Sequence, residues 1–215
     1  MNFAALVDCL TTTSCLVTQT TSGLIIGMLL FLVAAGLTLI FGVLKVVNFT
    51  HGAFYMLGAY IALTVNGLTG SYTLAVLGAA IGVGLFSLVF ERFFMSKVYN
   101  ANVLMQLLVC YAFILILDDA VKIIWGPEFK SMGMPEAFRL PPLFIAGGIV
   151  PVFYLVLIVI TLAISVALWL TITRTKFGTI VRAAAVNPSM VSALGINTKL
   201  IYSLVFGLGG ALAGL

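Results

Sequence analysis

Residues 36–63 read GLTLIFGVLKVVNFTHGAFYMLGAYIAL. In this stretch, two apolar runs are joined by a short segment that carries Asn48, Thr50 and His51. Polar side chains at membrane depth are costly, and they usually face the interior of a helical bundle or a solute pathway. The stretch therefore predicts membrane-spanning helices with a polar element between them.

The chain as a whole is far more apolar than a soluble domain. Hydrophobic residues make up 63% of the 215 positions and charged residues 7%, whereas a soluble domain has about 45–50% and about 25%. A helix that crosses a hydrocarbon core needs about 20 mostly apolar residues. We predict an all-α, polytopic transmembrane bundle with spans at residues 22–44, 48–66, 71–90, 102–124 and 149–171, and the start of a sixth span near residue 199.

The net charge of +4 fits membrane orientation better than a nucleic-acid partner, and we predict none. Basic residues in short loops favour the cytoplasmic side. The predicted spans leave only Lys122, Lys130 and Arg139 on one side of the membrane. On the other, cytoplasmic side they place Lys45, Arg92, Lys97, Arg174, Lys176, Arg182 and Lys199.

The segment around Asn48 is too close to the preceding run to begin an ordinary span. Only Val46 and Val47 separate it from Lys45. We therefore predict a broken or re-entrant helix near residues 45–60, because discontinuous helices expose backbone groups to a solute path. If this segment does not cross the membrane, the N-terminus lies on the cytoplasmic side instead of outside.

Two polar stretches lie outside the predicted spans. In the external one, the pair Gly147-Gly148 predicts a small hairpin near residues 143–151. The cytoplasmic one, residues 173–198, predicts a short helix that ends near Gly195, with a break or helix start at Asn187-Pro188. The short helix carries an apolar stripe, formed by Phe177, Ile180, Val181, Ala184 and Ala185.

The motifs of several enzyme classes are missing from the sequence. Without a GxxxxGK[ST] phosphate loop, the chain is not expected to bind and hydrolyse ATP by itself. With one histidine and no HExxH or CxxC motif, it offers neither a catalytic centre nor a metal site. Asp118 and Asp119 lie beside Lys122, which favours a solvated helix end over a pair of catalytic acids.

Three segments resemble permease subunits of ATP-binding-cassette (ABC) importers of the branched-chain amino acid type. They are residues 36–60, the pair Glu91-Arg92 and residues 177–197, which read FGTIVRAAAVNPSMVSALGIN. The resemblance extends from about Ser22 to Leu215. Because such permeases continue for further spans, we expect residues 1–215 to be a single transmembrane permease domain that is incomplete at its C-terminus.

The resemblance also implies an assembly in the bacterial inner membrane. The expected partners are the lipid bilayer, a second homologous permease, two cytoplasmic ABC ATPases that use ATP and Mg, and an extracytoplasmic solute-binding protein. No cofactor is expected in this chain. Branched-chain amino acids are the first expected solute, with urea or short amides as the nearest alternative.

Mapped onto this sequence, the family pattern implies two sets of functional residues. The substrate pathway falls on Asn48, His51, Gly52, Tyr55 and Gly58. Alternatively, Asn48 and His51 only satisfy the backbone of a broken helix. Coupling to the ATPase, within residues 173–198, falls on Phe177, Gly178, Arg182, Ala183, Ala184, Asn187, Ala193, Gly195 and Ile196. Alternatively, this segment only anchors the chain in the membrane interface.

Two further classes of function remain open. A self-sufficient carrier or channel would be expected to contain an intramembrane charge pair or ion site. None is evident, because the only acidic or lysine residues in the five predicted spans are near one end, at Asp118, Asp119 and Lys122. A non-transporting scaffold would use its small-residue helix faces for assembly.

Overall fold

The computed structural model describes residues 11–128, 130–133, 141–145 and 147–215. Helices and one hairpin follow one another along these residues. In chain order they are Thr13–Leu44 (α1), His51–Thr69 (α2), Tyr72–Val98 (α3), Val103–Trp125 (α4), Leu143–Ile145 (β1), Gly148–Val150 (β2), Val152–Arg174 (α5), Lys176–Val186 (α6), Pro188–Ala193 (α7) and Thr198–Ala213 (α8). The predicted all-α polytopic fold is confirmed.

Helix length and composition fit a membrane protein. Among the described residues, α1, α3 and α5 are long and apolar enough to cross a membrane, and α8 is a shorter apolar helix. The helices α2 and α4 contain 19 and 23 residues. At the rise of an α-helix they are about 28 and 34 Å long, which matches a hydrocarbon core of roughly 30 Å.

The described residues form two units, and the first contains residues 11–31, 133, 141–145 and 147–168. Its part of α1 begins at Thr13, earlier than the predicted residue 22. The hydroxyls of Thr18 and Thr21 donate to the carbonyls of Ser14 and Val17, at 2.9 and 2.8 Å. Because these polar side chains are satisfied within the helix, they do not end it.

The predicted hairpin is present in the same unit. Strands β1 and β2 are antiparallel, with Leu143 opposite Val150 and Ile145 opposite Gly148. Gly147 has a φ of 79°, the left-handed conformation that a tight turn requires and that glycine adopts readily. Because β2 extends to Val150, α5 begins at residue 152 and not at 149 as predicted.

In the second unit, residues 32–132 and 169–215, helix α8 packs against α3, α2, α6 and α7. Glycines allow the backbones to approach closely. A Cβ added to Gly36 of α1 would lie 2.6 Å from the Gly209 carbonyl oxygen of α8. One added to Gly58 of α2 would lie 2.7 Å from the Cα of Gly214. Small residues drive such contacts in lipid, where the hydrophobic effect does not bring helices together.

Aromatic rings fill the remaining space between α2, α3 and α8. Phe54 is fully buried, and its ring meets those of Phe86, Phe90 and Phe206 edge to face, at centroid distances of 5.9, 5.6 and 6.3 Å. Edge-to-face pairs at these distances are favourable beyond the area that they bury. The cluster therefore holds α2 against α3 and α8, and with it the polar segment that directly precedes α2.

Candidate functional site

The polar segment around Asn48 is a break between two helices. Helix α1 ends at Leu44, Lys45 turns the chain with a φ of 59°, and α2 begins at His51. The predicted discontinuity near residues 45–60 is thus found at residues 45–50. Asn48 lies in the break itself and not in a span from residue 48, and α2 is continuous beyond it.

The break folds back along α1 and α4. His51 Nε2 lies 3.0 Å from the carbonyl oxygen of Val33, which precedes the end of α1 by eleven residues, about 16 Å along the axis. Thr50 donates to the carbonyl of Cys110, at 3.3 Å, and Cys110 lies about 10 Å into α4. The start of α2 therefore lies beside the interior of α1 and of α4, away from the ends of those helices.

Asn48 and His51 are buried there, with 1% and 2% of their surface exposed. The side-chain oxygen of Asn48 accepts from the backbone amide of Thr50 at 3.1 Å, and the backbone carbonyl of Asn48 accepts from the backbone amide of His51 at 3.2 Å. Because a carbonyl only accepts hydrogen bonds, the bond to Val33 assigns a proton to His51 Nε2. Asn48 Nδ2 and His51 Nδ1 have no hydrogen-bond partner in the part of the chain that the structure describes.

The other three predicted pathway residues are placed differently. Gly58 is buried against Gly214, and it lines a cavity of about 210 Å³ together with Tyr55, which is half exposed. Tyr72 and Lys130 add polar groups to the same cavity. Gly52 is exposed, and a Cβ added to it would contact nothing within 4 Å. The structure therefore brings together Asn48 with His51, and Tyr55 with Gly58, but leaves Gly52 apart.

The segment predicted to be cytoplasmic forms α6 and α7. The side chain of Thr175 caps α6 by accepting from the Gly178 amide at 3.1 Å, and Asn187 caps α7 by accepting from the Met190 amide at 3.0 Å. Pro188 is the first residue of α7, and Gly195 has a φ of 80° after its end. The predicted break at residues 187–188 and the predicted stop at residue 195 are both present.

The apolar stripe of α6 packs on its own chain. Val181 and Ala184 are buried, and Val181 belongs to one buried cluster with Val43 of α1 and Ile201 and Val205 of α8. The nine predicted coupling residues therefore divide into two groups. Arg182, Ala183, Asn187, Ala193 and Gly195 are exposed, whereas Phe177, Gly178, Ala184 and Ile196 are buried or partly buried.

A second apolar face of the same segment points outward, and the sequence analysis did not identify it. Val186, Met190 and Leu194 are 87%, 65% and 74% exposed. They recur every four residues across the break between α6 and α7, which was the available signal. Leu194 precedes α8 by only four residues, so a protein that binds it is placed next to that helix.

Glu91 corrects a further prediction. The span predicted to end at residue 90 continues through a π-helical turn, Glu91–Met95, to Val98. Glu91 is therefore only 2% exposed. It accepts hydrogen bonds from the hydroxyls of Tyr99 and Ser203, at 2.6 and 2.5 Å.

Apolar helices of spanning length that surround a buried polar break define a multi-pass membrane protein. Residues 19–215 match the family model described as "Branched-chain amino acid transport system / permease component". The chain belongs to this family. It is a multi-pass protein of the inner membrane, a transport subunit and a component of a multi-subunit system.

Several curated relatives are similar over most of this chain. The high-affinity branched-chain amino acid transport system permease protein BraD of Pseudomonas aeruginosa is 30% identical over 206 residues, which are 91% of this chain and 67% of the relative. LivH of Salmonella typhimurium, described in the same words, is 28% identical over 210 residues, with the same shares. The probable branched-chain amino acid transport permease protein LivH of Methanocaldococcus jannaschii is 30% identical over 200 residues, 89% of this chain and 62% of the relative. No solved structure matches.

Proposed function

We propose that this chain is the permease subunit of a binding-protein-dependent ABC importer that translocates branched-chain amino acids. Its relatives BraD and LivH, which are named as branched-chain amino acid transport permeases, support this solute class. The motor would be a pair of cytoplasmic ABC ATPases that hydrolyse ATP with Mg. The other partners would be a second homologous permease and an extracytoplasmic solute-binding protein.

The observation that carries the proposed pathway is the pair of unpartnered polar atoms in the break. A buried donor or acceptor without a partner costs about 1–3 kcal/mol. The structure therefore holds an unsatisfied donor, Asn48 Nδ2, close in sequence to an unsatisfied acceptor, His51 Nδ1. A passing solute that carries both an acceptor and a donor satisfies both atoms.

A zwitterionic amino acid fits these two atoms better than urea does. The N-terminus of α2 has no side-chain hydrogen bond from its cap residue, Thr50, and helix N-termini at membrane depth attract carboxylates. The solute carboxylate would therefore bind to Asn48 Nδ2 and the start of α2. The ammonium group would donate to His51 Nδ1. Urea carries no negative charge for the helix terminus to attract.

Substitutions of similar size test the pathway in the full-length protein. Asn48→Leu and His51→Phe are expected to leave expression normal and to reduce solute uptake at least about tenfold, the effect of about 1.4 kcal/mol. Asn66→Leu makes the same change on α2 outside the break and serves as the matched control. Lost expression would support the structural alternative, and normal uptake in both variants would contradict the pathway.

For coupling, we propose that the outward face formed by Val186, Met190 and Leu194 docks into a groove of the ATPase. An apolar helix face seated in a groove is a common recognition mode. Closure of the ATPases on ATP would then move α7 and, through the short connection, α8. The exposed Arg182 would lie at the edge of this contact.

The docking test uses residues that face outward. Met190→Asp with Leu194→Asp is expected to abolish co-purification of the ATPase with the full-length permease, whereas Ser189→Asp, an exposed neighbour, retains it. If the double variant keeps both the ATPase and coupled uptake, the segment is an interfacial anchor and the docking proposal is wrong.

A further inference from the structure

Glu91 is the one charged side chain among the buried residues that the structure describes. No basic side chain lies within 4 Å of it in that part of the chain, where the ion pairs involve only Lys122. Its carboxylate is instead held by two hydroxyl donors, Tyr99 and Ser203. Ionisable groups in membrane helices are expensive and are functional candidates by default.

The local backbone presents Glu91 to these partners. The turn Glu91–Met95 is π-helical, and the Ser96 amide donates to the Glu91 carbonyl. Such turns are rare and occur often at functional sites, because an inserted residue changes the direction of its neighbours. Here the insertion coincides with the carboxylate that turns inward.

Tyr99 forms a fixed side of the site. Gln106 Nε2 donates to the carbonyls of Val98, Tyr99 and Ala101, at 3.2, 3.4 and 3.3 Å, which ties down the turn after α3. Burial and the neighbouring Glu91 carboxylate raise the pKa of Tyr99. Its phenol therefore remains protonated at neutral pH and donates to Glu91.

Ser203 forms the other side, and it belongs to α8. The start of α8 is joined to α7 by a hydrogen bond between the hydroxyls of Ser192 and Thr198, at 3.2 Å. Two turns further along α8, Gly209 contacts Gly36, and an added Cβ on Gly36 would also lie 3.1 Å from His51 Nε2. Helix α8 therefore connects α7, the buried Glu91 carboxylate and the break at residues 45–50.

We propose that Glu91 is a positioning residue of the transport cycle, whose hydrogen bond to Ser203 holds α8 in register with α3 and so sets α8 against the break that contains His51. The proposal rests on the proposed function, because it requires that the ATPases move α8 through α6 and α7. The bond between Glu91 and Ser203 is intact in this conformation, and it is the contact that an axial shift of α8 must break.

The test uses the full-length permease purified and reconstituted with its partner permease, ATPases and binding protein. Ser203→Ala removes the α8 donor, and Ser203→Thr restores a hydroxyl. Ser96→Ala is the matched control, because its exposed hydroxyl donates only to the Arg92 carbonyl of the same helix. Glu91→Gln provides a second variant, which keeps the volume and removes the charge.

Ser203→Ala is expected to increase hydrogen exchange of the amides in residues 198–207 about tenfold, the effect of losing a hydrogen bond to a charged group. Leucine uptake per ATP hydrolysed should fall by a similar factor, with the KM for leucine unchanged. Glu91→Gln should act in the same direction. Ser203→Thr should rescue both readouts, and Ser96→Ala should change neither.

Two results would overturn the proposal. One is unchanged exchange and unchanged uptake per ATP in Ser203→Ala. The other is a parallel loss of complex yield, uptake and ATP hydrolysis, which shows that the hydroxyl only supports folding. A failure of the importer assignment is distinguishable, because the unmodified complex would then lack ATP-driven uptake, while the exchange comparison would still decide whether Glu91 holds α8.

Discussion

Gly36→Ala tests the contact at which α1, α2 and α8 meet. A Cβ at this position would lie 2.6 Å from the Gly209 carbonyl oxygen and 3.1 Å from His51 Nε2. Real Cβ atoms do not approach a backbone oxygen so closely, and the oxygen belongs to a packed helix that cannot rotate away. We therefore expect α8 to move outward and the bond between His51 and Val33 to weaken.

The expected loss of stability follows from three terms. Overpacking a dense core destabilises by about 1–3 kcal/mol. A disturbed hydrogen bond at His51 adds about 0.5–1.5 kcal/mol. The better helix propensity of alanine offsets up to about 1 kcal/mol. The net effect is a destabilisation of about 0.5–4.5 kcal/mol, measured as a lower Tm of the full-length protein in detergent, with reduced uptake in liposomes.

Gly42→Ala is the matched control on the same helix. Its added Cβ would meet nothing within 4 Å, so only the propensity term remains, and the variant should be as stable as the unmodified protein or up to about 1 kcal/mol more stable. If Gly36→Ala and Gly42→Ala have the same Tm, the backbone of α8 does not lie against α1, and the packing described for the second unit is wrong.

Two further predictions concern the ends of helices. In Gly178→Ala, the new Cβ collides with the carbonyl oxygens of Ile172 and Thr171 at the corner between α5 and α6. The Tm should therefore fall by an amount that corresponds to about 2 kcal/mol or more. Gly67→Ala is the control, because its added Cβ meets nothing within 4 Å and should not lower the Tm. Asp118→Asn removes the 2.5 Å ion pair with Lys122, in which the side chain of Asp118 is 45% exposed and that of Lys122 is 52% exposed. Because solvent screens such a pair, no measurable change in Tm is expected. A clear loss of Tm would show that this helix end is buried in the assembly.

Hydropathy was sufficient to locate the helices because each one that crosses a membrane must be apolar over a fixed length. The start of α7 followed from the pair Asn187-Pro188 and the hairpin from a glycine pair, and both signals act locally. The break was predictable for the same reason, since too few residues separate Lys45 from Asn48 for an ordinary turn.

The direction that a side chain faces was less predictable. Glu91 follows an apolar run, and a charge there normally ends a span, but the π-helical turn and two hydroxyls from distant residues allow it to turn inward. Ala184 and Met190 lie in one predicted segment, yet only the tertiary contacts of α6 with α1 and α8 decide which of them is covered. Periodicity identifies a face but not the element that packs on it.

The two kinds of contact along α8 respond differently to movement. Glycine faces, such as Gly209 on Gly36, present smooth backbone and tolerate sliding by a small step. The hydrogen bond from Ser203 to Glu91 does not, because it weakens steeply with distance and angle. Ser203 and Gly209 are about 9 Å apart along the helix axis. A displacement of α8 that begins at α7 would therefore break a discrete contact at Glu91 before it changes the packing beside His51, and α8 would move between defined positions and not continuously.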